Sequence, residues 1–193
     1  MNLYTLYTKV KNTARRFFDK SLDFRVRLFN VLATGGVAIS VATLVLNLVT
    51  GMLTGAVLSA LLAVLSTVLL VYTYRTRKYK TAYILTIVII FMIVFPLLFF
   101  TSGAYKGGMP SMLIFAVLFT VLMLEGKTAV FVSAAEIVEY LAVSVFTYFA
   151  PQYVTWFTGE AEMLTDILVT TVAVSVSCGV VLFLHLREYE GQR

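Results

Sequence analysis

Two carboxylates stand three residues apart in the run Ser133-Ala-Ala-Glu-Ile-Val-Glu-Tyr-Leu-Ala-Val143. On a helix, Glu136 and Glu139 share one face, and Tyr140, four after Glu136, joins them. The flanking residues are so apolar that the pair falls about midway along a membrane-crossing stretch, Thr128–Tyr148. A carboxylate at that depth is costly unless it is protonated, paired or hydrogen-bonded. None of the apolar stretches supplies a Lys or Arg, so at least one glutamate is expected to be protonated or held by a polar side chain from another helix. The candidates are Asn47, Thr86, Thr120, Ser175 and Ser177. Such a pair serves either as a proton-sensitive or ligand-binding site or as a polar clasp that keeps helices in register. A shorter helix would instead bring both glutamates nearer the cytoplasmic water.

The second unusual stretch is Phe-Phe-Thr-Ser-Gly-Ala-Tyr-Lys-Gly-Gly-Met-Pro-Ser-Met-Leu-Ile-Phe, Phe99 to Phe115, an irregular segment between two very apolar runs. Irregular backbone near membrane depth persists only where protein or a water-filled cavity satisfies it. Gly103, Gly107 and Gly108 permit a tight loop, and Pro110 suits the first turn of the next helix. Pro96 is expected to kink the outer end of the preceding one. Phe99, Phe100, Tyr105, Tyr148, Tyr153, Trp156 and Phe157 collect at the same rim. An interfacial aromatic belt accounts for many of these, but a belt does not require three glycines. The expectation is a lid that folds onto the third, fourth and fifth spans, with Phe99, Tyr105 and Met109 buried beneath it. The resulting ligand-binding set is Phe99, Phe100, Gly103, Tyr105, Gly107, Gly108, Met109, Pro110, Glu136, Glu139 and Tyr140.

Positioning these residues falls to helices in a bilayer. The chain is 60% hydrophobic and only 13% charged, which is outside the range of soluble domains. Six segments reach or approach the length of about 20 apolar residues needed to cross: Leu28–Leu48, Gly55–Tyr72, Ala82–Phe100, the short Met112–Leu124, Thr128–Tyr148 and Ile167–His185. The fold class is therefore all-α, a polytopic six-transmembrane-helix bundle. Fourteen of the fifteen Lys and Arg residues fall on one side of it, against Lys106 alone on the other, which makes both termini cytoplasmic. Residues 1–26 read as an amphipathic interfacial helix, residues 27–186 as the membrane domain and residues 187–193 as the start of a cytoplasmic helix. In the first of these, Leu3, Leu6, Tyr7, Val10, Ala14, Phe17 and Phe18 recur at helical spacing, with Lys and Arg opposite.

Other chemistries lack their residues. One cysteine, Cys178, and one histidine, His185, make neither a disulfide nor a metal set, and no phosphate-binding loop or nucleophile elbow is present. No metal and no cofactor are expected. The basic balance fits anionic lipid headgroups better than nucleic acid. Gly51, Gly55, Ser59, Ala63 and Thr67 recur every four residues, a small-residue stripe that lets helices approach closely.

Three runs carry a family resemblance: RVRLFNVLA from Arg25, FPLLFFTSGAYKGGMPSMLIFAVLFTVLMLEGK from Phe95 to Lys127, and FLHLREYEGQR from Phe183. Together they resemble the six-span N-terminal sensor region of bacterial histidine kinases from Gram-positive anaerobes. The resemblance implies a signal-transducing module of a two-component system in the bacterial cytoplasmic membrane. It also implies a homodimer, an unknown small ligand, and a last helix that continues into a cytoplasmic kinase core. The 193 residues contain no phosphoacceptor hairpin or ATP-binding domain, so this chain is not itself expected to be an enzyme. His185, Leu186 and Tyr189 then carry the signal out of the membrane, where Leu182, Leu186, Tyr189 and Arg193 keep coiled-coil-like spacing. The alternative is a small-molecule-binding subunit of a transporter of the vitamin-uptake type, or a proton-coupled carrier. No internal repeat supports an autonomous carrier. A plain membrane anchor would need neither glutamates nor glycine loop.

Overall fold

The computed structural model describes residues 22–49, 51 and 53–191. The amphipathic segment expected over residues 1–26 lies almost wholly outside them, as do residues 192–193. Among the described residues the chain is helical, with no strand. The helices are α1 (Phe24–Val49), α2 (Leu53–Thr76), α3 (Tyr79–Thr101), α4 (Met109–Met123), α5 (Gly126–Phe149) and α6 (Glu160–Gly191). Five of them, all but α4, are long and apolar enough to cross a membrane, and α4 is an apolar helix of 15 residues. Their outward faces are greasy: Val49, Leu53, Phe131 and Phe149 are among many large apolar side chains left exposed. In water such a surface would be an aggregation hazard, whereas acyl chains cover it at no cost.

Small side chains decide how closely the first two helices pack. Ala56, Ser59 and Ser66 are buried on α2, spaced three and seven apart so that they face α1. Asn47 donates to Ser59 Oγ at 3.1 Å across that seam and lies against Gly55, so one of the candidate glutamate partners is spent on the α1/α2 hairpin, while Gly51 and Thr67 of the small-residue stripe are exposed. Two other buried hydroxyls are satisfied within their own helices: Thr73 donates to Leu69 O, and Thr86 to Ala82 O.

In α3 the kink expected at Pro96 takes another form. Residues Ile87–Val94 are π-helical, and Phe95 donates to Ile90 O, five residues back. Proline has no N–H for the carbonyl four residues earlier, and the wider turn before Pro96 absorbs that loss. This widened stretch sends Phe91 into the middle of the bundle. Its ring lies 5.2 Å from Phe119 and 5.1 Å from Phe95, and Phe29 continues the aromatic ladder to Tyr83 at 5.1 Å. Each such pair contributes about 0.5–1.5 kcal/mol beyond the area it buries.

Contacts at the two ends of the bundle match an alternating path. At one end the start of α1 meets both the α4/α5 turn, through the Arg25 to Glu125 ion pair, and α6, through the Phe24 and His185 rings 5.7 Å apart. At the other end the α3/α4 loop meets the α5/α6 loop: Thr155 donates to Phe100 O at 2.8 Å and Gly103 donates to Thr155 O at 3.2 Å.

Candidate functional site

The loop after α3 does not project outward. Gly103 adopts φ 70°, a left-handed turn open to glycine, and a Cβ there would strike the Phe157 ring. Ala104 follows it into the interior and is fully buried, while the next residue, Tyr105, turns outward. Tyr105 is therefore 41% exposed and stacks edge-on against Trp156 at 5.9 Å, not beneath the loop as its sequence position implied. Lys106 lies over the same indole, 5.0 Å from its centre. Gly107 and Gly108 are buried because they lie directly against α6: a Cβ on Gly107 would meet Ser102 O and the Asp166 carboxylate, and one on Gly108 would collide with Thr170. Gly108 N–H donates to Asp166 Oδ2 at 2.8 Å. The lid is thus tied to the last helix and the α5/α6 loop, and its turn over Ala104–Lys106 also rests on α3, α4 and α5, the third, fourth and fifth spans to which the sequence pointed. Pro110 sits in the first turn of α4.

Beneath the loop, Phe99, Met109, Glu136, Glu139 and Tyr140 line one pocket together with Phe91 and Phe95. Three helices supply them: α3 the phenylalanines, α4 the methionine, and α5 the two carboxylates and the phenol. The empty space is about 390 Å³ counted out to its open mouth. Phe99 is 2% exposed and meets the Tyr140 ring edge-on at 5.5 Å, which locks the roof of the pocket to α5. Phe100 packs on the same cluster with its ring 6.0 Å from Phe146, outside the pocket.

Glu136 is the most enclosed polar group of the site, 2% exposed. Thr120, from the facing side of α4, donates to Glu136 Oε1 at 2.7 Å. Glu136 Oε2 is buried with no hydrogen-bond partner. Of the other hydroxyl candidates, Thr86 and Ser177 bond to carbonyls of their own helices, and Ser175 is exposed. Glu139 is half-buried one turn further on. A carboxylate oxygen left dry and unpaired favours whatever brings it a hydrogen, either a proton or a donor on a ligand.

A second, larger space of about 820 Å³, again counted to its open sides, lies between α1, α2, α3, α4 and α6. Its lining is alkyl and aromatic apart from a few hydroxyls, and Phe91 and Phe95 belong to both spaces.

Sequence reasoning missed Asp166, Thr155 and Thr170, and placed Phe157 at the aromatic rim without its contact to Gly103. Asp166 had a visible signal, a carboxylate directly before the last apolar run, whereas Thr155 and Thr170 are ordinary residues whose role comes from the loops they meet. Phe91 and Phe95 carried no signal at all within a run of Ile, Val and Phe. At the far end of α6, His185 packs on Phe24, and Leu186 and Tyr189 are exposed at 60% and 62%. No family model, curated protein or solved structure matches the chain.

Proposed function

We propose that the chain is the membrane-embedded sensory module of a two-component signalling system, a homodimer that binds a small ligand in the pocket under the α3/α4 loop. In this reading α4 completes six spans, the N-terminal segment lies on the inner leaflet, both termini are cytoplasmic, and α6 passes the signal towards a kinase core. One observation carries it: the loop that roofs the pocket is bonded to α6 through Gly108 and Asp166. Met109, the next residue, lines the pocket. A ligand that displaces Met109 therefore pulls on the outer end of a helix that runs unbroken for 32 residues. The orientation rests on the Lys and Arg asymmetry. A ligand-capturing transporter subunit would use the same pocket but gives no role to a bond between its lid and the last helix.

The test is a fusion in which α6 continues in helical register into a reporter histidine-kinase core. Replacing Gly107 and Gly108 together by Val should leave membrane insertion intact and change kinase output markedly, since two Cβ-branched side chains push the loop off α6. Normal output from a normally inserted double variant would reduce the loop to a connector and remove the support for sensing.

A further inference from the structure

The two spaces inside the bundle have opposite chemistry and a common wall. Phe91 and Phe95, with ring centres 5.1 Å apart, separate them. In the larger space three of the four lining hydroxyls, those of Ser40, Thr86 and Ser177 but not Ser66, give their hydrogens to Gly36 O, Ala82 O and Ala173 O at 2.7, 2.9 and 2.8 Å. Hydroxyls spent in this way leave an interior that stays dry and accepts hydrocarbon.

The smaller space has the contrary need. Glu136 Oε2 is buried without a partner, Glu139 adds a second carboxylate, and among the described residues no Lys, Arg or His lines either space. An anionic guest is repelled there, and a neutral guest brings no charge. An ammonium group supplies both the N–H donors and the positive charge that a buried carboxylate lacks. The rings of Phe91, Phe95, Phe99 and Tyr140 around the same space favour it further, because aromatic faces attract alkylammonium groups.

We propose that the two spaces together hold one amphiphile, a primary alkylamine. Its ammonium head donates to Glu136 Oε2 beneath the loop, and its hydrocarbon tail passes between Phe91 and Phe95 into the apolar cavity. This rests on the ligand-binding reading of the pocket and names the class of ligand. Phe91 and Phe95 are the wall the tail must pass, and Met109, which lines the space that holds the head group, is next to the Gly108 bond to α6.

The test uses the full chain in lipid nanodiscs and three photoreactive probes with one eight-carbon chain and a diazirine at its tip, differing only in head group: amine, alcohol or carboxylate. The amine probe should label residues of the apolar cavity such as Leu32, Leu62 or Met112. Excess octylamine should suppress that labelling about tenfold or more, as expected for a hydrogen bond to a charged group, and octanol should not. Glu136→Gln should lower the octylamine-sensitive labelling to a similar degree with the thermal unfolding midpoint nearly unchanged. Leu62→Trp, which fills the cavity, should move the label elsewhere. If the alcohol or carboxylate probe labels the cavity as saturably as the amine, the amine assignment is wrong and the pocket remains a ligand site. Saturable labelling by none of the probes, with label only on outward positions such as Val130 and Phe131, would overturn the alkylamine and the ligand-binding reading together.

Discussion

Gly108 and Asp166, 58 positions apart, are joined by a 2.8 Å hydrogen bond from the backbone N–H of one to the carboxylate of the other. The bond links the roof of the pocket to the helix that leaves the bundle. Asp166→Leu orphans a part-buried N–H and should cost about 1–3 kcal/mol, whereas Asp166→Asn keeps an acceptor and should cost less than half as much. Thermal unfolding of the two variants in detergent gives the comparison, and equal losses would show that the bond contributes nothing to the roof.

The close approach of the same loop to α6 predicts a compensating pair. Gly108→Ala should destabilise by about 1–3 kcal/mol, the usual penalty for overpacking, because its methyl collides with Thr170. Thr170→Gly should restore a large part of that loss in the double variant, after allowance for its own helix penalty of about 1 kcal/mol. A double-mutant cycle on unfolding midpoints reads the coupling. Additive losses would mean that the two residues do not touch.

Around Glu136 the order of tolerance is set by its two oxygens. Glu136→Gln retains an acceptor for Thr120 and places an amide where Oε2 stands, so stability should change little. Glu136→Leu orphans the Thr120 hydroxyl, and Thr120→Val orphans Glu136 Oε1, each at about 1–3 kcal/mol. If Glu136→Leu proves as stable as Glu136→Gln, the glutamate is not held as described.

Much of this arrangement was legible in the residues, for reasons that differ from place to place. The glutamates stood out because charge is rare in so apolar a chain, and the glycines because they interrupt it. Long apolar runs announced the helices themselves. The partner of the loop was not legible: Gly108 meets Asp166 only because α5 and its short loop bring α6 back beside α4, and no local pattern encodes that return. Tyr105 was misplaced for a related reason, since the positive φ angles of Gly103 and Ala104 rotate it outward. The π-helical stretch that carries Phe91 has no signature in an unbroken Ile, Val and Phe run beyond the proline that follows it.

Orientation is testable by labelling in a Cys178→Ser background. Cysteines at Lys106 and Glu160 should react with an impermeant thiol reagent applied outside intact cells, and one at Lys78 should react only after permeabilisation. The reverse pattern would invert the topology and place the pocket on the cytoplasmic side.

The proposed dimer is testable at the exposed end of α6, where Leu182, Leu186 and Tyr189 all face away from the bundle. With Cys178 replaced by Ser, Leu186→Cys or Tyr189→Cys should form a disulfide-linked dimer in membranes, and cysteine at Arg187 should do so several-fold less. Uniform cross-linking at all three positions would indicate random collision.

The central claim is that the state of the pocket reaches the far end of α6 through the loop. A spin label at Tyr189 in nanodiscs, in the Cys178→Ser background, tests it most directly. Glu136→Gln, which removes the enclosed carboxyl group and leaves Glu139 in place, should change the label's mobility or the distance between labels, and adding Asp166→Leu should abolish that change. A label that responds identically with and without Asp166, or does not respond to Glu136→Gln at all, would contradict the account.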